Sequence, residues 1–188
     1  MKEKSIKCIS SDCRVCLENK LNDLLIVPLE EGTTDTRKLF SYFLYSAPNI
    51  ESVHSKNVHS DLHNEVFERM MDKRHYKYLK FCGASAKINK ELNKGYLGGE
   101  SICLKCKRFV CKKKQTKKGG KPESDLDCFL RHIRNSIAHG SVYLLHAGNR
   151  IHIVFEDRNK LNNLSARIVC IKADLEHWKR ILENPKNY

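Results

Sequence analysis

The most regular hydrophobic pattern in the chain runs from residue 126 to residue 140. Its apolar positions recur every three or four residues, and they are Leu126, Phe129, Leu130, Ile133 and Ile137. This spacing is typical of one face of an amphipathic helix. Ser124, followed three residues later by Asp127, predicts a capped start, and Gly140 predicts the end. We therefore expect a helix that buries one side.

The opposite side of this predicted helix is polar. It carries Arg131, Arg134, Asn135 and His139. Arg134 and His139 are five residues apart, so they are separated by about 140° around the helix axis. The small Ala138 leaves space beside the guanidinium and the imidazole. The helix is thus predicted to display reactive groups on its exposed side.

Other segments predict further helices before this one and strands after it. Residues 35–47 have helical spacing with Thr34 or Asp35 as the N-cap and Pro48 as the end, and residues 49–92 predict a helical region. After Gly140, two β-rich runs flank A-G-N and predict a hairpin. A third β-rich run and a terminal helix with Leu175 and Trp178 on its docking side complete the chain.

These elements predict a mainly α fold, namely a helical bundle with a small C-terminal antiparallel β-sheet and a terminal helix. We expect a single domain over residues 1–188. Within it we distinguish a cysteine-rich N-terminal extension at 1–30, an insertion rich in Gly, Cys and Lys at 93–123, and a β-rich part with the terminal helix at 141–188.

The net charge changes this picture, because 35 Lys and Arg against 22 Asp and Glu give +13. Such an excess favours a polyanionic partner, with nucleic acid first and an anionic membrane surface second. A basic solubility surface is the alternative.

The lysine-rich run at 112–121 is too strongly charged to be buried, so it predicts a mobile loop. This loop could follow the phosphate backbone of a nucleic acid, or it could be a linker without a function. The candidate RNA contacts are Lys112, Lys113, Lys114, Lys117 and Lys118.

The chain lacks the features of a membrane or secreted protein. It has no run near the roughly 18 apolar residues of a membrane helix. The basic N-terminus M-K-E-K-S-I-K-C is not followed by an apolar segment, so no signal peptide is predicted. We expect a cytoplasmic protein.

Nine cysteines, an odd number, disfavour a disulfide framework in such a protein. Two C-x-x-C pairs stand out, Cys13 with Cys16 and Cys103 with Cys106. Two such pairs complete a tetrahedral zinc site, provided that the fold brings the N-terminus to the glycine-rich segment. A structural zinc ion and ordinary reduced cysteines are both open interpretations.

Arg134, Asn135 and His139 together suggest phosphate chemistry. Histidine transfers protons near neutral pH, and arginine offers a permanently charged fork that suits a phosphate. A carboxylate cluster for divalent metal is not evident in the sequence. The residues therefore favour metal-independent attack by an RNA 2′-hydroxyl on its own phosphate, with the arginine stabilising the charged transition state.

The stretch R-N-S-I-A-H, residues 134–139, resembles the R-x4-6-H signature of the HEPN superfamily, including the polar residue directly after the arginine. The β-rich tail with F-E-D and the terminal D-L-E-x-W helix resemble small bacterial HEPN nucleases. The resemblance covers roughly residues 124–188. The cysteine-rich start and the lysine loop look like additions.

This resemblance implies a HEPN-like bundle and a metal-independent endoribonuclease, a toxin or antiphage effector that cleaves tRNA, rRNA or mRNA. Arg134 and His139 would be catalytic, with Asn135 in support and Arg131 as a phosphate contact. A homodimer would form one composite cleft from two motifs, and an antitoxin or other regulatory protein is an expected partner. The alternatives are a non-catalytic HEPN module that binds RNA or protein, and a zinc-stapled nucleic-acid-binding protein.

Overall fold

The computed structural model describes residues 18–20, 25–26, 34–47, 60–71, 76–84, 86–98, 101–103, 106–115, 123–147 and 149–185. The helices in this part of the chain are α1 (Thr34–Ser41), a π-helical segment (Tyr42–Ser46), α2 (Ser60–Met70), α3 (Ile88–Lys94), α4 (Asp125–Ala138) and α5 (Lys172–Glu183). The strands are β1 (Glu18–Lys20), β2 (Leu25–Ile26), β3 (Tyr76–Cys82), β4 (Ser101–Cys103), β5 (Lys107–Lys112), β6 (Val142–Ala147), β7 (Arg150–Arg158) and β8 (Leu164–Ile171).

A mixed sheet forms the centre of the fold, with the strand order β2-β6-β7-β8-β5-β3. Five of these strands are long, and β2 is a two-residue edge strand. Neighbouring strands are antiparallel except β3 and β5, which are parallel. The protein is therefore a mixed α/β fold, and the predicted mainly α bundle is wrong.

The fold class was predicted wrongly because the strands β3 and β5 were not recognised in the sequence. The region 49–92 was predicted to be helical and the region 93–123 irregular, but each contributes a strand to the central sheet. In β3, Leu79 and Phe81 contact the core on one side of the sheet, whereas Tyr78 and Cys82 contact the core on the other. A sheet covered on both faces has apolar residues at successive positions, so the alternation that marks a strand is lost.

The larger core lies between the sheet and helices α1, α2, α4 and α5. Phe129 of α4 packs against Phe109 of β5 and Trp178 of α5, with ring centroids 5.0 Å apart in both pairs. The indole Nε1 of Trp178 donates to the Met70 carbonyl at 2.8 Å. These contacts confirm the predicted docking of the terminal helix, which burial of large aromatic rings stabilises.

The opposite face of the sheet is covered by α3. Ile88 and Leu92 pack there with Val110, Val154 and Val169 from three strands. The same face buries an ion pair, since the Glu156 carboxylate accepts from Arg167 at 2.7 Å. With α3 on this side and the other helices opposite, the sheet lies between two helical layers.

Helix α4 confirms the predicted amphipathic helix almost residue for residue. The Ser124 hydroxyl accepts from the Asp127 amide at 3.1 Å, and Gly140 follows the helix with φ +65°. Its apolar positions Leu126, Phe129, Leu130, Ile133 and Ile137 are all buried. Helix α4 packs on β7 of the central sheet.

None of the helices described in the structure is long and apolar enough to span a bilayer.

Candidate functional site

A basic cleft of about 250 Å³ opens where α4 meets the ends of β5 and β7. Among its described lining residues, five are lysines or arginines: Lys112, Lys113, Lys114, Arg131 and Arg158. Asn135, His139 and the carboxylate of Asp157 line it as well. We call this feature the α4 cleft. Its charge suits an anion such as a phosphate.

A buried hydrogen-bond network forms the floor of the α4 cleft. The Nδ1 atom of His132 lies 2.6 Å from the Oδ2 atom of Asp157, and its Nε2 lies 2.8 Å from the Lys112 carbonyl oxygen. Asn135 donates to the same Asp157 oxygen at 3.1 Å. His132 and Asp157 are only 1% and 4% exposed, so this network is held away from water.

Each ring nitrogen of His132 contacts a different element of the fold. A carbonyl oxygen only accepts, so Nε2 of His132 carries a hydrogen and donates it to Lys112. The Nδ1 atom of His132 and the Oδ2 atom of Asp157 form the other contact of the imidazole, at 2.6 Å. His132 therefore serves as a bridge between α4, β5 and β7, and Asp157 orients the amide of Asn135.

A second contact closes one side of the cleft. Arg131 donates from Nε and Nη2 to the two carboxylate oxygens of Glu123 at 2.6 and 2.9 Å, and from Nη2 to the Lys112 carbonyl at 2.9 Å. Burial raises the pKa of Glu123, but the hydrogen bonds from Arg131 and from the Lys114 amide outweigh it, so the net pKa lies below the ordinary value. The same carboxylate raises the pKa of Arg131 despite its burial.

His139 lies at the rim of the α4 cleft. It is the residue directly after α4 and is exposed, and its backbone N–H donates to the Asn135 carbonyl at 2.9 Å. The left-handed conformation of Gly140 then turns the chain into β6. The imidazole is thus accessible to a bound substrate beside Asn135, which is half-buried.

Arg134 lies outside the α4 cleft. It is half-buried, and its Nη2 donates to the Ala47 carbonyl at 3.2 Å, at the end of the π-helical segment. The structure therefore brings Asn135, His139 and Arg131 to one cleft but places Arg134 on another side of α4. This separation agrees with the wide angle between Arg134 and His139 expected from helix geometry.

The remaining predicted residues fall in two groups. Lys112, Lys113 and Lys114 line the α4 cleft, where Lys113 pairs with Asp125 at 2.6 Å. Lys117 and Lys118 lie outside the described residues.

The four cysteines of the two C-x-x-C pairs differ in how they are described. Cys13 and Cys16 lie outside the described residues, Cys103 ends β4 and Cys106 is buried. Among the side chains that the structure describes, no three residues form a metal-binding group.

Sequence reasoning missed His132, Asp157 and Glu123. The sequence contains one signal for Asp157 and one for His132. Asp157 follows Ile153 and Phe155 at a spacing of two, which places its side chain on the core side of β7. His132 is three residues from Phe129, hence on the apolar side of α4. A buried carboxylate and a buried histidine on facing sides of two elements predict a pair.

A comparison with known protein families identifies the family of the region that contains the α4 cleft. The family model described as HEPN pEK499 p136 matches residues 73–177, which include β3, the whole of α4 and the strands around the cleft. This is a HEPN domain, a class generally associated with RNase activity. The chain belongs to the HEPN pEK499 p136 family. The predicted HEPN membership is confirmed. No curated protein and no solved structure matches the chain.

Proposed function

We propose that this protein is a metal-independent endoribonuclease and that the α4 cleft holds the scissile phosphate of the RNA. One observation carries the proposal. His139, the histidine of the HEPN motif, lies at the rim of a cleft whose described walls include five lysine and arginine side chains. A proton-transferring group beside an anion-binding surface is what phosphodiester cleavage needs.

In the proposed reaction, the His139 imidazole removes the proton of a ribose 2′-hydroxyl. The 2′-oxygen attacks the adjacent phosphorus while the bond from phosphorus to the 5′-oxygen breaks. The departing 5′-oxygen takes up a proton from a water molecule, and the resulting hydroxide takes the proton that His139 accepted. The products are a 2′,3′-cyclic phosphate and a 5′-hydroxyl. Asn135, which Asp157 holds at 3.1 Å, would hydrogen-bond a phosphate oxygen. DNA binds but is not cleaved, since it lacks the 2′-hydroxyl.

Arg134 requires a second chain in this proposal. Within one chain it donates to the Ala47 carbonyl, outside the cleft that contains His139. A homodimer that joins two copies of the motif would supply an arginine from one chain and a histidine from the other, and the guanidinium would stabilise the phosphorane charge. We therefore propose a composite site in a homodimer.

The biological role that we propose is a toxin or antiphage effector that acts on cytoplasmic tRNA, rRNA or mRNA and is restrained by an antitoxin or other regulatory protein. Its support is the general association of HEPN domains with RNase activity and the net charge of +13. Both favour RNA as the partner.

The test is cleavage of single-stranded RNA by the purified protein without added divalent metal. We expect cleavage that persists in EDTA and leaves 2′,3′-cyclic phosphate ends, which end-specific sequencing detects. Arg134→Ala and His139→Ala should each lower the rate by at least about 100-fold. The matched control is Arg150→Ala, an exposed arginine at the start of β7, which should cleave normally. Unchanged cleavage by His139→Ala would contradict the mechanism.

A non-catalytic RNA-binding module is the second candidate. The observation that favours it is the engagement of Arg134 by Ala47 outside the cleft. In that case the wild-type protein binds RNA, the affinity falls steeply with salt, and no cleaved ends form in any preparation.

A further inference from the structure

We propose that a second surface of this protein binds a single-stranded segment of RNA. The surface is a groove of about 730 Å³ between α1, the π-helical segment and α5, which we call the α1–α5 groove. Its described lining residues lie between Thr34 and Ser46 on one side and at Lys179 and Glu183 on the other, and the α4 cleft shares none of them. The choice of RNA as the occupant rests on the proposed function, whereas binding in the groove is independent of cleavage.

The sequence of α1 and the π-helical segment separates a core side from a groove side. Leu39, Phe40 and Phe43 are buried in the larger core. Ser41 and Tyr45 are exposed and line the groove. A π-helical turn is rare and occurs frequently at functional sites, so the position of this turn at the groove supports a binding role.

The charged groups of the α1–α5 groove are mostly basic. Among the described lining residues they are Arg37 and Lys38 of α1 and Lys179 and Glu183 of α5. The Nζ atom of Lys179 lies 3.6 Å from the Glu183 carboxylate, so this acidic group is offset within α5. Arg37 and Lys38 are exposed, and three basic groups against one acidic group leave an excess of two positive charges. Such an excess attracts an anionic chain such as the phosphate backbone of RNA.

An exposed aromatic ring lies in the same groove. Tyr45 is 81% exposed, and of the large hydrophobic side chains that the structure describes only Leu161 is comparably exposed. Tyr42 also lines the groove, but it is half-buried and packs edge-on against Phe43 with ring centroids 5.3 Å apart. The Nζ atom of Lys179 lies 5.3 Å from the centroid of the Tyr42 ring. Exposed aromatic rings stack on unpaired bases of any identity while nearby cations bind the adjoining phosphates, so the groove suits a single strand, with Tyr45 as the stacking group.

The α1–α5 groove lies beside the arginine of the HEPN motif. The π-helical segment that carries Tyr45 ends at Ser46, and the carbonyl of the next residue, Ala47, accepts from Nη2 of Arg134 at 3.2 Å. An RNA strand in the groove would therefore lie next to Arg134. The groove would thus extend the RNA-binding surface of the protein beyond the α4 cleft.

The experiment measures the affinity of the full-length protein for a single-stranded oligouridine of about 12 nucleotides, in which every ribose carries a 2′-fluorine. Fluorine cannot attack the phosphate, so the probe stays intact whichever function the α4 cleft has. We expect Tyr45→Ala to weaken binding by at least about 5-fold and Tyr45→Trp to retain it, because only the first variant loses the stacked base. Lys38→Ala should also weaken binding, and it should lower the slope of log K against log salt by about 0.7, the share of one phosphate contact.

Two exposed residues outside the groove supply matched controls. Leu161→Ala removes an apolar side chain about as exposed as that of Tyr45, and Arg150→Ala removes an exposed positive charge. Both variants should bind the probe as tightly as the wild type. Because Tyr45 is 81% exposed, its substitution leaves the core intact, and a loss of affinity reports on the groove.

Photocrosslinking locates the RNA on the wild-type chain. With 5-iodouridine in the probe, we expect mass spectrometry to find the adduct on Tyr45, and sedimentation to give Tyr45→Ala the same oligomeric state as the wild type. Unchanged affinity of Tyr45→Ala or Lys38→Ala, equal weakening by the controls, or adducts found only outside the groove would overturn the proposal. A changed oligomeric state of Tyr45→Ala would overturn it in favour of a second copy of the chain as the occupant. RNA cleavage is not a readout, so failure here leaves the RNase proposal standing, and a wild type that does not cleave RNA leaves this one standing.

Discussion

At the scale of single residues, the floor of the α4 cleft is an arrangement of polar groups with little access to water. His132 and Asp157 are held 2.6 Å apart, and each has another partner, Lys112 and Asn135 respectively. A buried pair of this kind adds little net stability, since desolvation offsets its attraction. Its effect is positional, because it holds the Asn135 amide at a fixed place beside His139.

The Glu123–Arg131 pair gives a pH-dependent prediction. Glu123→Gln should lower the free energy of unfolding at pH 7 by about 1–3 kcal/mol, because it removes a charged acceptor from Arg131. The pKa of Glu123 is lowered in the folded chain, so its contribution is fully present above the ordinary carboxyl pKa of about 4.3 and is lost as the pH falls through the folded-state pKa. The difference should therefore shrink below about pH 4.

Urea denaturation across this pH range checks the prediction. The matched control is Glu65→Gln, because Glu65 is 63% exposed and pairs with Arg69 at 3.5 Å. Exposed pairs of this kind contribute little, so the control should lie within about 0.5 kcal/mol of the wild type at every pH. An equal loss for Glu123→Gln at pH 7 and in acid would mean that the carboxylate charge is not what stabilises the contact.

At the scale of elements, α4 supplies both the core and the site. The core depends on its fully buried face, where Ile133 is 0% exposed. Ile133→Ala should lower the free energy of unfolding by about 2–5 kcal/mol, since it removes apolar contacts and leaves a cavity. Leu161→Ala, at a side chain that is 80% exposed, is the control and should change stability by less than about 0.5 kcal/mol. Chemical denaturation measures both, and equal losses would contradict the packing of α4 described above.

Some of the secondary-structure elements could be predicted from the sequence, and others could not. Helix α4, the hairpin of β6 and β7, and α5 were predictable, because each has one buried face and a recognisable start or turn. The strand β3 was not, since Tyr78 and Leu79 face different cores. The Asp157–His132 pair joins residues 25 positions apart on two elements. Their hydrogen bond could not be predicted without knowing that β7 lies under α4.

At the scale of the whole molecule, the position of Arg134 makes the assembly testable. Arg134 and His139 lie on different sides of α4. A site within one chain therefore requires Arg134 to leave the Ala47 carbonyl. In the homodimer that we propose, a twofold axis would instead bring Arg134 of one chain to the α4 cleft of the other.

Mixing two inactive variants separates these arrangements. Arg134→Ala and His139→Ala chains, carrying different tags and co-expressed, form heterodimers that are isolated through both tags. In a composite cleft such a heterodimer still contains one Arg134 and one His139, so RNA cleavage should return to well above that of either variant alone and remain below the wild type. In sites within single chains, every heterodimer site lacks one of the two residues. Isolated heterodimers that are as inactive as the two single variants would therefore exclude a cleft shared between chains. The remaining arrangement would be a complete site within each wild-type chain.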